Sequence, residues 1–254
     1  MKHLLIAFFV IVTFFSCKKD NDNDSSTGTR LVEQRTGNEY VKLLYASNGK
    51  IAKAIVLDET LTNGEEITYN ISYNNAGRIG EVVSSNGDII RTTYENNRLV
   101  KARVLRANQE IGHTDYHYEN GLLTEAEIKF KLFGQEVVTM KFIFKYDAQQ
   151  RVKQSDIWMQ NPITNELELS GYTILDYDDR NNPLHGFSDF MMQMWVVPAP
   201  NNVVKETQYF SDHTIEEIRE YNFSYNGKDY PVQGIMRTTS NGAIQDTNIK
   251  FMYD

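Results

Sequence analysis

The chain has 254 residues, 26 of them lysine or arginine and 34 aspartate or glutamate, for a formal net charge of −8. An acidic balance of this size disfavours phosphate backbones, so no nucleic-acid partner is expected. Cys17 is the only cysteine, which excludes an internal disulfide framework and leaves the fold to its core.

At the N-terminus, Lys2 and His3 precede an almost wholly apolar run from Leu4 to Phe15. The run is too short to span a membrane comfortably and reads as a secretory signal over residues 1–16. The small residue Ser16 directly before Cys17 resembles the lipobox of bacterial lipoproteins. That resemblance implies a mature chain that starts at Cys17 and carries acyl chains there. Its partner is then the membrane, its location the outer membrane, and the protein faces the cell surface or the periplasm. Several acyl chains, at about 0.8 kcal/mol per buried methylene, anchor stably where one would not.

Residues 17–29 hold the lipidated cysteine and a tether; positions 18–29 contain no apolar side chain. The acidic stretch after Cys17 also resembles the export signal of surface lipoproteins, with lysines interrupting it. Asp20, Asp22 and Asp24 imitate the start of a calcium-binding loop. Position six of that loop is Ser25 and position twelve Leu31, which excludes it.

From residue 30 to 254 the chain reads as one domain built on a repeated phrase: a strand ending in an aromatic residue, a polar turn, and a strand opening on a branched apolar residue. Instances are Tyr45 to Ile51, Tyr73 to Ile79, Tyr94 to Leu99, Tyr118 to Leu123, Tyr146 to Val152, Tyr177 to Leu184 and Tyr225 to Tyr230. A period of about 20–30 residues fits two strands and two turns. Alternation supports the strands: Ile67, Tyr69, Ile71 and Tyr73 share one face, and Glu66, Thr68, Asn70 and Ser72 the other. Tyr221, Phe223 and Tyr225 likewise lie opposite Glu220, Asn222 and Ser224. Six Asn-Gly dipeptides, at 48–49, 63–64, 86–87, 120–121, 226–227 and 241–242, suit the positive φ angles of tight hairpins. The expected fold is all-β: an up-and-down antiparallel meander of roughly twelve strands or more, forming a strongly curved sheet or barrel. Its alternative is a barrel embedded in a membrane with the apolar face toward lipid.

The phrase resembles the tyrosine-aspartate repeats of large bacterial shell and toxin-delivery proteins. Tyr73 to Ile79 keeps the glycine and arginine of that unit (Gly77, Arg78). Tyr146-Asp147 with Arg151-Val152 keeps the aspartate and arginine but not the glycine. With the lipobox and the Asn202-Val203-Val204 strand start, the mature chain also resembles a family of Bacteroidetes lipoproteins of unknown function with a porin-like fold. This resemblance implies a barrel and supplies no activity.

One stretch breaks the strand period. Phe187, Phe190, Met191, Met194 and Trp195 fall at helical spacing, predicting a short helix near 187–196 that ends before Pro198. It reads as a plug in an open end of the curved sheet or as an apolar docking face, and these five residues are the candidate binding residues.

Catalytic and cofactor motifs do not appear, so no enzyme, cofactor or metal is expected. His113, Asp115 and His117 share a face, but about 13 Å separates the two histidines along a flat strand, too far for one ion. They read as a polar solvent face. Arg98, Lys101, Arg103 and Arg106 read as a solvated strand face. Asp176, Asp178 and Asp179 are the one conceivable acid-base cluster, for an unrecognised hydrolase. By analogy with other tethered β proteins, whose exposed aromatic side chains stack on sugar rings, the expected role is a non-catalytic module binding an extracellular glycan or peptide, with a structural or assembly role on an envelope partner as the alternative.

Overall fold

A computed structural model describes residues 30–58, 62, 64–132, 135–193 and 196–254. Cys17, the signal and the tether lie outside the described residues, as do Met194 and Trp195.

The first eight strands are β1 (Leu31–Thr36), β2 (Glu39–Tyr45), β3 (Ile51–Leu57), β4 (Ile67–Tyr73), β5 (Ile79–Ser84), β6 (Asp88–Glu95), β7 (Arg98–Arg106) and β8 (Gln109–Glu119). They continue as β9 (Leu122–Leu132), β10 (Gln135–Tyr146), β11 (Val152–Gln160), β12 (Leu167–Asn181), β13 (Asn201–Phe210), β14 (Ile215–Tyr225), β15 (Pro231–Ser240) and β16 (Ala243–Tyr253). Each pairs antiparallel with its neighbours in sequence, and β1 pairs with β16, so the meander closes into a 16-strand barrel. Leu31 faces Tyr253 across that seam, and Arg30 and Asp254 join the two ends by an ion pair. Closure removes the sheet edges on which other chains could pair.

Period-two alternation sorts the side chains. In β16, Thr247, Ile249, Phe251 and Tyr253 are buried inside, while Asn248, Lys250 and Met252 point out. The outer wall carries ion pairs at mid-strand, among them Lys101–Asp115 at 2.9 Å, Lys141–Glu125 at 3.2 Å and Arg237–Asp246 at 2.8 Å. A barrel held in lipid presents an apolar outer band about 25 Å tall. These charges stand where that band would lie, so the wall faces water.

The hairpins use two kinds of turn. At the tyrosine end, five-residue loops close with a left-handed residue at the fourth position: Gly49, Gly77, Gln150 and Asp229. The residue after the tyrosine pins such a loop. Asp147 Oδ1 accepts from the backbone N–H groups of Gln149 and Arg151, and Asn74 Oδ1 from Ala76 and Arg78. Two-residue turns with both φ positive occur at Asn96-Asn97, Ala107-Asn108, Asn120-Gly121 and Asn241-Gly242. Of the five Asn-Gly dipeptides that lie wholly within the described residues, two form the turn expected of them. At 48–49, 86–87 and 226–227 a longer loop places the asparagine outside the left-handed region, and 63–64 includes a residue outside the described ones.

The short helix expected near 187–196 is present, and its described part ends at Gln193. A 3-10 turn at His185–Phe187 leads into α1 (Ser188–Gln193), both within the long β12–β13 connection. Ser188 donates to the His185 carbonyl, and Asp189 pairs with Arg78 at 3.1 Å. This segment enters the tyrosine end of the barrel and separates two core clusters. Phe187, Phe190 and Met191 pack on the first, around Leu43, Ile71, Val82 and Ile249. Met192 packs on the second, around Leu99, Tyr116, Ala126 and Phe142, and its carbonyl accepts from the Tyr116 hydroxyl at 3.1 Å. Burying Phe190 contributes about 1.5–3 kcal/mol. The second cluster also needs a glycine: a Cβ on Gly112 would meet the Lys129 carbonyl at 2.5 Å and the Phe130 ring at 2.8 Å.

Candidate functional site

Beyond α1 the barrel is hollow. The two core clusters and strands β10–β14 border a partly open cavity of about 680 Å3. This size lies within the range of small-molecule sites. One wall is apolar, from Phe142 and Phe144 on β10, Ile157 and Met159 on β11 and Leu175 on β12. Phe190 and Met191 of the plug also line it. The facing wall carries Gln34 and Thr36 on β1, Glu206 and Gln208 on β13, and Arg219 and Tyr221 on β14. The lining extends to the rim opposite the tyrosine end, at Glu39, Asp58 and Glu216.

The polar wall follows from register. Glu206 lies opposite Arg219, while Lys205 and Glu220 pair one position away on the outer face. Arg219 Nη1 lies 3.4 Å from Glu206 Oε2, and Nη2 lies 2.5 Å from Glu217 Oε1. The Tyr221 hydroxyl donates to Glu206 Oε1 at 3.0 Å. The Arg219 side chain is 8 % exposed, and its Nε has no hydrogen-bond partner among the described residues. Burial raises the Glu206 carboxyl above the ordinary glutamate range, against the pull of Arg219. Burial first, and then the Glu206 charge, hold the Tyr221 phenol far above its ordinary range.

The candidate binding residues divide. Phe190 and Met191 line the cavity, Phe187 packs at a tilt against Tyr45 with ring centroids 6.3 Å apart, and Met194 and Trp195 lie outside the described residues. The sequence reading missed Glu206, Arg219 and Tyr221. A signal existed: Glu217 and Arg219 share the inward parity of Tyr221 and Phe223, so charge stands where the alternation calls for apolar side chains.

Other charged groups are engaged on the outside. His113 is buried, not part of a solvent face, because flanking strands lay long side chains over it. Its Nδ1 lies 3.3 Å from Glu110 Oε1 and its Nε2 3.2 Å from Asp115 Oδ2. Glu110, His113 and Glu136 bring ligand atoms together, as do His117, Glu125 and Glu127. Lys131 and Arg103 already engage Glu110, and Lys129 and Lys141 engage Glu127. In the basic stretch, Lys101, Arg103 and Arg106 pair with Asp115, Glu110 and Asp88, and Arg98 lies over Tyr118. The three clustered aspartates have separate tasks. Asp176 pairs with Lys153 and Asp179 with Arg180, while Asp178 accepts from Asn202 and from the Tyr225 hydroxyl.

No family model and no curated protein matches the chain. Solved structures do. A porin-like protein from Bacteroides uniformis superposes with a TM-score of 0.59 at 11% identity, covering 92% of this chain and 100% of that one. A porin-like protein from Bacteroides vulgatus gives a TM-score of 0.51 at 12% identity, covering 89% and 99%. At such identities the likeness shows a shared barrel fold.

Proposed function

We propose that this chain is an envelope protein, lipid-anchored through Cys17, that binds a small extracellular ligand, a glycan or short peptide, inside its barrel and does not transform it. The cavity of about 680 Å3 carries this reading, because its size is that of a small-molecule site and it sets an apolar wall opposite a few polar groups. The likeness to porin-like proteins of Bacteroides supports an envelope location, and the lipobox-like Ser16-Cys17 supports the anchor. The water-facing outer wall suits a tethered barrel. The aspartates at 176, 178 and 179 serve pairing and turn geometry, which favours binding over hydrolysis.

A screen of the mature chain against oligosaccharides and short peptides tests this, with Ser155→Trp as control. Ser155 lies on the cavity wall, and an indole there fills the hollow. A ligand bound by the wild type and lost in S155W supports the reading; equal binding by both places the ligand elsewhere. Fatty-acid labelling in cells that vanishes in Cys17→Ala tests the anchor.

A second reading, docking on an envelope partner, is favoured by apolar side chains exposed near the rim turns, Phe210, Ile215 and Ile244. Crosslinking in cells that recovers only the monomer removes it.

A further inference from the structure

We infer that the interior site takes an uncharged peptide with apolar side chains and rejects ligands of either charge; this names the ligand class of the hollow and rests on its reading as a binding site. Among the described lining residues the charged ones are Glu39, Asp58, Glu206, Glu216 and Arg219. None of them offers an open charge to the interior. Glu206 and Arg219 answer each other, with Tyr221 on Glu206 and Glu217 on Arg219. Glu39 and Asp58 have partners of their own, and Glu216 is exposed at the rim with outward parity. A ligand cation or anion drawn into the hollow would lose its water and find no uncommitted counter-charge. A neutral ligand carries no such cost.

The uncommitted polar groups of the lining are neutral. Register turns Gln34 and Gln208 inward: Gln34 lies opposite Phe251 and Gln208 opposite Thr173, and all four line the hollow. Both glutamines are half-buried, and no hydrogen bond holds either side-chain amide among the described residues. An amide offers N–H donors and a carbonyl acceptor, the pair that a peptide unit itself requires. The facing wall of Ile157, Met159 and Leu175 suits apolar side chains, and the parallel rings of Phe142 and Phe144, with centroids 6.3 Å apart, suit an aromatic one. A glycan carries hydroxyls around its whole ring, and those turned to the apolar wall would lose water without gaining a partner. A bare acyl chain would strip water from the two glutamines and give nothing back. An uncharged peptide answers both walls.

The test uses the mature chain and the tripeptide leucine-phenylalanine-leucine blocked at both ends, with analogues carrying lysine or glutamate in place of the first leucine, and neutral chitotriose. Isothermal titration is expected to show the leucine peptide binding at least about tenfold tighter than either charged analogue. Its affinity should hold within about twofold from low to high salt, because no ion pair forms. It should fall several-fold in Gln208→Met, which keeps the length of the side chain and removes the amide, and disappear in S155W. Thermal melts check that both variants fold, and Q208M carries the test if S155W does not. A lysine or glutamate analogue binding as tightly as the leucine peptide, or chitotriose binding alone, would overturn the inference and leave the hollow as a ligand site. Affinity unchanged in Q208M would overturn the peptide pairing. Leucine-peptide binding that survives S155W would overturn the inference too, since the peptide would then sit outside the cavity. If no probe binds, the inference is overturned, and the wider ligand screen decides the fate of the hollow.

Discussion

The Tyr73 hydroxyl donates to the Ile51 carbonyl at 2.9 Å, and the ammonium of Lys50, the residue before Ile51, stands 4.7 Å from the centre of the same ring. One hairpin thus holds the tyrosine of the next by two adjacent residues. The relation recurs around the barrel. Tyr45, Tyr118, Tyr146, Tyr177 and Tyr253 donate to the carbonyls of Leu31, Leu99, Leu123, Val152 and Pro231. Arg30, Arg78, Arg98, Arg151 and Arg180 lie over Tyr45, Tyr94, Tyr118, Tyr177 and Tyr225. Ladder register shifts fall at Tyr45, Tyr73, Tyr94, Tyr118, Tyr146 and Tyr225 as well. A bulge bends the strand there and re-aims the ring. The tyrosine, the turn and the basic residue of the repeated phrase form one device that ties each hairpin to its neighbour across adjacent strands at the tyrosine end. It has exceptions with visible causes. Thr92 takes the Ile79 carbonyl that Tyr94 would use, and Tyr225, which follows the helical insertion, donates to Asp178 instead.

Tyr73→Phe tests the relay. It removes a half-buried hydrogen bond and keeps the ring under Lys50, so the expected loss is about 1 kcal/mol in urea unfolding. Tyr146→Phe, whose hydroxyl donates at 2.6 Å, should lose a similar amount. No change in either would mean that the rings alone, through packing, carry the joint.

Gln150 occupies a backbone conformation of φ +60°, where the matching loops place Gly49 and Gly77. Left-handed geometry costs a side-chain-bearing residue about 1 kcal/mol relative to glycine. Gln150→Gly is therefore expected to stabilise the protein by up to about 1 kcal/mol, and Gly77→Gln to destabilise it by at least as much. Paired thermal melts check both, and a destabilised Q150G would refute the turn assignment.

These two predictions also mark what could be read before folding. Alternation and the tyrosine phrase dictate the strands, because a pleated ribbon puts every second residue on one face whatever its neighbours are. The departure of Tyr146 to Val152 from the glycine-bearing unit is visible in sequence, yet its outcome is not. Whether Gln150 adopts the glycine conformation or the turn changes depends on the Asp147 side chain gripping two backbone N–H groups. The plug is legible as helical spacing, but its seat between two core clusters is not, because those clusters form only when distant strands close. The cavity was not legible: it is the space left after 16 strands close, and it depends on closure and on how far α1 enters. Glu206 gave no sign alone, since its meaning comes from facing Arg219 across β13 and β14.

Phe190→Ala tests the plug. The ring packs edge-on to Tyr69 at 6.4 Å and is 8 % exposed. Its removal is expected to cost about 3–5 kcal/mol and to enlarge the hollow. Hydrogen exchange should then quicken in α1 and at the Leu43 and Ile71 amides while the β7–β10 core keeps its protection. Uniform loss of protection would mean that the helix holds both clusters as one cooperative unit.

Asp115 predicts an acid-sensitive step on the outer wall. Its carboxylate lies 2.9 Å from Lys101 Nζ and 2.8 Å from Lys129 Nζ. Partial burial pushes its pKa up, but the hydrogen bonds and charges of these two ammonium groups outweigh that and bring it down to about 2. A carboxyl with a folded pKa below its unfolded value stabilises the protein above the unfolded pKa, and that stabilisation is lost as pH falls through the folded one. The window therefore runs from pH 4 down to pH 2. The amount is about 1 kcal/mol once the solvent screening of a partly exposed site is allowed for. Urea midpoints across this window should fall more steeply for the wild type than for Asp115→Asn, which lacks the titrating group and should start lower at pH 6. Curves that stay parallel from pH 6 to pH 2 would show that the two lysines add nothing to the folded state through this carboxylate.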